Sequence, residues 1–144
     1  MENLKALKLD NQICFPLYVI SKEIIGLYRP LLEALDITYS QYLVLMVLWE
    51  KDGLTVKQIG EKLFLDSGTL TPLLKRLETK NYILRQRKKE DERIVEVFLT
   101  KTGEDLKIKA CEVPFKMKEK LNLTDEDLEE LKTTVSKLLI KISK

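Results

Sequence analysis

The sequence predicts a mainly α fold with a small β-hairpin wing: a winged helix-turn-helix, with N- and C-terminal helices forming a dimerisation region. Three observations carry that expectation. Two Thr-x-x-Gln boxes, Thr38–Gln41 and Thr55–Gln58, each open a helical pattern. A turn at Phe64-Leu65-Asp66 leads into a further helical pattern, LDSGTLTPLLKRLE. Directly behind it lie two β-branched and apolar runs, Ile83–Arg87 and Ile94–Leu99, joined by the polar tip Lys88–Arg93.

The first helix is expected from about Ile13 to Leu35. Leu17, Ile20, Ile24, Leu27, Leu31 and Leu35 recur at steps of three or four. Pro16 is tolerable only in a first turn, where amide hydrogens lack helical partners, so it places the helix start close to Cys14. Pro30 is a candidate kink. Behind the Thr38 box, Tyr42–Glu50 is almost wholly apolar and should be central to the core, and Asp52-Gly53 ends it. The Thr55 helix buries Val56, Ile59 and Leu63. The next helix runs to about Lys80 with Leu70, Leu73, Leu74 and Leu77 inward. Its start has two readings: Ser67 behind an Asp66 or Ser67 cap, or Pro72 behind a Thr71 cap, since proline suits a first helical position. After Thr100 the chain returns to helix, Pro114 interrupts it, and Thr124 caps a last helix with Leu128, Leu131, Val135, Leu138 and Leu139 on one face. The terminal stripes have no obvious place in the central unit, and a dimer interface is their natural use. One domain over 1–144 is expected, with a core at about 37–100 and dimerisation helices at about 9–35 and 101–144.

Composition narrows the chemistry. The chain has 144 residues, 44% hydrophobic and 33% charged, the profile of a soluble globular protein. Its longest apolar run, Tyr42–Trp49, is far short of the ~20 residues that span a bilayer. The start MENLKALKLDNQ has no signal-peptide core, so the expected compartment is the cytoplasm, with no membrane partner. There is no histidine, which removes His-based zinc sites and His acid–base or nucleophile-activating chemistry. No glycine-rich phosphate loop occurs, and no cofactor or metal is implied. Net charge is only +2, but Lys75–Arg93 holds eight Lys/Arg against four Asp/Glu, a stripe suited to a polyanion.

In a helix-turn-helix, the N-terminal residues of the second helix meet base edges. Here those are Ser67, Thr69, Thr71 and Pro72, with Lys75 and Arg76 nearer phosphate. The hairpin offers Arg85, Arg87, Lys88, Lys89 and Arg93, and an arginine at its tip suits a narrow minor groove. Surface lysines and arginines are ordinary, and helix-turn-helix modules without DNA exist. The basic wing directly after the second helix is what favours DNA.

The segments LDNQICFPLY, LYRPLLEALDITYSQYLVLMVLWE, LTVKQIGEKLFLDSGTLTPLLKRLE and KKEDERIVEVFLT resemble the MarR family of winged-helix repressors, and more closely its organic-hydroperoxide-sensing branch, OhrR. The likeness is strong from about Leu9 to Gly103 and weak beyond. LDSGTLTPLLKR and DNQICF are specific, whereas the DER of the wing marks only the wider family. The resemblance implies a homodimer on a pseudo-palindromic double-stranded operator, repressing a peroxide-detoxification gene. It favours a recognition helix starting at Ser67, and an Asp91 that orients Arg93. It makes Cys14 the thiol that organic hydroperoxides oxidise to a sulfenic acid, and Tyr28 and Tyr39 the tyrosines that hydrogen-bond it.

Physical chemistry supports Cys14 independently. Only a thiolate attacks peroxide fast, and a helix N-terminus favours that anion. Tyr28 lies 14 residues further on, about 21 Å along a straight helix, so any Cys14 it touches belongs to a partner chain. Against this stands the ordinary fate of a lone cysteine, a small buried hydrophobe. Cys111 lies too early for the resolving cysteine of two-cysteine members, which favours a low-molecular-weight thiol as the partner of the sulfenic acid; an intersubunit Cys14–Cys111 disulfide is the alternative. Pro16 departs from the usual sequence of that segment. Two other functions stay open: a MarR-type regulator released by a small aromatic ligand, and a thiol peroxidase. The latter has no Arg or His to activate peroxide and no CxxC.

Overall fold

Backbone satisfaction at helix ends decides most of this architecture. The computed structural model describes residues 2–143. A short helix α1 (Glu2–Lys5) and a 3-10 turn (Leu9–Asn11) precede α2 (Cys14–Glu33), α3 (Tyr39–Glu50), β1 (Leu54–Thr55), α4 (Val56–Leu63), α5 (Ser67–Thr79), β2 (Ile83–Arg87), β3 (Val95–Leu99), α6 (Lys101–Ala110), α7 (Val113–Leu121) and α8 (Asp125–Ile142). The chain divides into two compact units, Met1–Val113 and Pro114–Lys144. No helix among the described residues is long and apolar enough to cross a membrane.

Both expected Thr-x-x-Gln boxes form. Thr38 Oγ1 accepts from Gln41 N at 3.3 Å while Gln41 Oε1 accepts from Thr38 N at 3.0 Å. Thr55 and Gln58 repeat the arrangement. Thr124 and Asp127 form the same reciprocal box for α8. Each box pairs amide donors that would otherwise lack partners and so fixes where its helix begins.

The turn between α4 and α5 is tight. Phe64 adopts a left-handed backbone (φ 56) and Leu65 N–H reaches back to the Gly60 carbonyl at 2.9 Å. A Cβ on Gly60 would sit 2.7 Å from the Leu65 carbonyl oxygen, so this position requires glycine. The start of α5 is settled in favour of Ser67: Asp66 Oδ1 accepts from Thr69 N at 2.7 Å. Pro72 therefore lies inside α5, where it is exposed and omits one helical hydrogen bond. Leu70, Leu73, Leu74 and Leu77 are buried as expected.

The hairpin pairs Ile83 with Leu99 through Arg87 with Val95. A third strand, not anticipated from sequence, is the two-residue β1, antiparallel to β3 with Leu54 opposite Val97, so the sheet order is β1-β3-β2. Val44, Leu45, Ile59, Leu70, Leu74 and Val97 form the wholly buried centre of the first unit. α6, expected among the outlying helices, is anchored in this unit: Trp49 Nε1 donates to the Gly103 carbonyl at 2.9 Å and Gly103, Leu106 and Ala110 are buried.

Candidate nucleic-acid interface and thiol site

The candidate nucleic-acid surface is built by α5 and the wing. Ser67, Thr69 and Pro72 are exposed in the first turns of α5, Thr71 is half-buried, and Lys75 and Arg76 are exposed one turn on. Asp66 holds the N-terminus, and the Thr69 amide beside it draws its carboxyl below the usual range. Leu70, Leu74 and Leu77 face inward, so the exposed set shares the opposite side of one helix.

Between α5 and the wing runs a groove of about 580 Å³ lined by Thr71, Lys75, Arg85, Arg87 and Arg93, with Thr55 and Lys57 of α4. Lys57 was not singled out from sequence; its place beside Thr55 at the start of α4 is the signal that could have found it.

The wing arginines differ in what holds them. Arg93 Nε and Nη2 donate to the two Asp91 carboxylate oxygens at 3.0 and 3.1 Å, and its own amide donates to Asp91 Oδ1 at 3.1 Å. Its side chain is nevertheless 90% exposed, so Asp91 aims a guanidinium that stays in solvent. Pairing draws the Asp91 carboxyl below its ordinary range and raises Arg93. Arg87 Nη1 donates to the Glu92 carbonyl across the hairpin tip at 2.8 Å. Lys89 is exposed and Lys88 half-buried.

Arg85, a sequence candidate for DNA contact, is engaged by a carboxylate of α5. Its Nε and Nη2 fork onto Glu78 of α5 at 3.2 and 3.1 Å, and its amide donates to the same carboxylate at 3.0 Å. That bond lowers the Glu78 carboxyl. Arg85 thus lines the groove and also ties the wing to α5.

The thiol site is divided. Cys14 is the first residue of α2 and is exposed, not a buried hydrophobe. Tyr18 follows one turn later, with Lys22 Nζ 5.1 Å over its ring. Tyr28 and Tyr39 are far along the fold from Cys14 of the same chain but close to each other, ring centroids 4.8 Å apart. The continuous α2 separates Cys14 from Tyr28 by about 21 Å. Tyr42, read from sequence only as core, is a third member, 5.9 Å from Tyr28 and 6.4 Å from Tyr39. Its spacing of three from Tyr39 is the signal that could have found it. Burial first, then the neighbouring phenols, pushes Tyr28 up to about 12, and burial raises Tyr39. These hydroxyls therefore stay protonated, as hydrogen-bond donors, at neutral pH. Cys111 closes α6, exposed, and contributes to raising Tyr42.

Comparison with known proteins bears on both halves. Residues 26–110 match a family model described as transcriptional regulator SarA/Rot. The chain is 50% identical over 140 residues to the organic hydroperoxide resistance transcriptional regulator of Bacillus subtilis, covering 96% of this chain and 95% of the relative. It is 42% identical over 123 residues to the regulator SarZ of Staphylococcus aureus, covering 85% and 83%. Among solved structures, reduced AbfR bound to DNA superposes with a TM-score of 0.82 at 35% identity, covering 96% of this chain and 95% of that one; AbfR is a protein of Staphylococcus epidermidis.

Proposed function

Because the chain belongs to the MarR family of winged helix-turn-helix transcriptional regulators, in the branch of the organic hydroperoxide resistance regulators, we propose that it is a cytoplasmic, homodimeric repressor that releases its operator when an organic hydroperoxide oxidises Cys14. One observation carries the reading: a single chain presents an exposed thiol at the first residue of α2 and an exposed basic groove between α5 and the wing. Two copies set two such grooves on a two-fold operator. The α5 hydroxyls and Pro72 meet base edges, Lys75, Arg76 and Lys57 meet phosphate, and Arg93, aimed by Asp91, enters the minor groove. Arg85 is assigned a bracing role.

The chemistry needs no cofactor. The Cys14 thiolate attacks the distal oxygen of ROOH. The S–O bond forms, the O–O bond breaks, sulfur is oxidised to the sulfenic acid, and the alkoxide leaves as ROH after taking a proton. In the dimer the phenols of Tyr28 and Tyr39 from the partner donate to the thiolate, and the added oxygen disturbs that bond. A low-molecular-weight thiol then condenses with the sulfenic acid, giving a mixed disulfide and water.

The test is operator affinity by fluorescence anisotropy on the DNA upstream of the protein's own gene. Reduced protein is compared with protein given stoichiometric cumene hydroperoxide, for wild type and Cys14→Ser. Wild type should lose affinity by about tenfold or more while Cys14→Ser keeps it. Retention by both sinks the redox reading. A second reading would then lead, because an open pocket of about 330 Å³ lies between α2 and α3, lined by Ile25, Arg29, Leu32, Glu33, Ile37 and Tyr39. It makes the protein a regulator released by a small aromatic ligand and indifferent to Cys14→Ser.

A further inference from the structure

Lys80 is the first residue beyond α5, at the end opposite the DNA-reading residues. Its ammonium crosses to the turn between α2 and α3. There it donates to the Asp36 carbonyl at 2.6 Å, lies 3.6 Å from the Asp36 carboxylate, and donates to Gln41 Oε1 at 3.3 Å. Gln41 is the only buried polar side chain among the described residues, and its same oxygen completes the Thr38 capping box. Asp36 holds a left-handed backbone (φ 56), which turns its carbonyl toward the lysine's side of the turn. A second contact reaches the same turn two residues on: the Tyr82 hydroxyl donates to the Leu35 carbonyl at 3.4 Å.

The place of this turn matters. It connects α2, which carries Tyr28, to α3, whose first residue is Tyr39. The two phenols, in tilted contact with each other, therefore flank the segment that Lys80 grips. α5 itself is a 13-residue rod, about 20 Å long. The Glu78–Arg85 fork fastens the wing to the same end of that rod. A shift of the Tyr28–Tyr39 pair relative to each other must move the turn. Through Lys80 it then levers α5 and the wing together.

We infer that Lys80, with Tyr82, is a positioning residue that couples the tyrosine pair to the DNA-reading helix. The inference rests on the thiol-switch reading above and specifies how that switch is transmitted. Lys80 is not needed to form α5, because Leu70, Leu74 and Leu77 fix that helix from its buried side. Removing the ammonium should leave reduced DNA binding nearly intact and weaken the response to oxidation.

The experiment measures operator affinity, reduced and after one equivalent of cumene hydroperoxide, for wild type, Lys80→Met, Lys80→Arg and Tyr82→Phe, with a thermal melt of each. Lys80→Met keeps the stem and removes the charge. Its reduced affinity should stay within about threefold of wild type, while the ratio of oxidised to reduced dissociation constants shrinks about tenfold. Lys80→Arg should restore the ratio, and Tyr82→Phe should reduce it less. An unchanged ratio in Lys80→Met overturns the inference. So does an equal loss of affinity in both redox states, which is what a purely structural lysine gives. If Lys80→Met melts below the assay temperature, Tyr82→Phe, which deletes one hydroxyl, decides by the same ratio. Wild type separates the two levels: if it is not released by oxidation, the thiol-switch reading fails; if it is released and Lys80→Met is released equally, only the coupling role fails.

Discussion

α3, in the core of the first unit, and the long helices α2 and α8 all carry apolar residues but bury them to different extents. In α3, Val44 and Leu45 are fully buried, and every face of that helix meets protein. In α8, Leu131 is 52% and Val135 44% exposed, and no residue of the helix is buried. The first half of α2 behaves like α8, with Phe15, Tyr18 and Ile20 exposed. Burying a side chain of this size contributes roughly 1.5–3 kcal/mol, so stripes of this length are not left wet without a partner. The winged unit completes its own core within one chain; α8 and the start of α2 carry exposed apolar stripes, which we propose a second copy covers. The residues proposed to read DNA are thus different residues from those proposed to hold two readers together, and the two sets can be changed independently.

The largest effect should come from charging the outer stripe. Val135→Glu with Leu139→Glu places two carboxylates one turn apart on α8, at positions that remain 44% and 45% exposed within one chain. Sedimentation should show a monomer. Operator affinity should fall by about 100-fold or more, because the second half-site is no longer engaged intramolecularly. A variant that stays dimeric with unchanged affinity would remove α8 from the interface and break the contrast between the two regions.

Within the reader, Arg93→Ala should cost about 1–3 kcal/mol of operator affinity and flatten the salt dependence by about one ion, with the dimer intact. Asp91→Ala should cost less, since it frees the guanidinium without deleting it. Arg85→Ala should act differently from Arg93→Ala, lowering thermal stability as well as affinity, because its fork joins β2 to α5. If Arg93→Ala binds like wild type in a salt titration, the wing does not reach DNA.

What could be read from sequence follows the range of the interactions. Thr38, Thr55 and Thr124 fix helix starts through partners three residues away, so the chain states them locally. The turn at Phe64 and the leucine face of α5 are equally local. The start of α5 was legible only as two alternatives, an Asp66 or Ser67 cap against a Thr71 cap with Pro72 behind it, and the Asp66–Thr69 bond decides between them. β1 was invisible because two residues become a strand solely by pairing with Val97 and Glu96, over 40 positions away. At the site, Asp91 and Arg93 were legible two residues apart. The Glu78–Arg85 fork, the Lys80 grip on Asp36 and the place of Tyr42 in the tyrosine cluster were not, because each joins elements that only packing brings together. The outer stripes were legible as stripes, but their partner is outside the sequence of one chain.

The smallest effect tests whether the tyrosine cluster belongs to the self-sufficient unit. Burial first, then Tyr39 and Tyr42, lifts the Tyr28 phenol from its ordinary 10.0 to about 12. The folded state therefore holds this proton more tightly than the unfolded chain does. Its contribution to stability is present in full below pH 10 and is lost as pH rises from there through about 12. Tyr28→Phe removes the titration, so urea midpoints measured across the alkaline range should decline less steeply than in wild type. The difference should be about 1 kcal/mol or less once solvent screening of a half-exposed ring is allowed for. Below pH 9 or so the two proteins should run parallel, because the phenol is neutral in both states there. The same alkaline slope in both proteins would mean that Tyr28 is not shielded by the fold, and that its hydroxyl is not a guarded donor kept protonated for the thiolate.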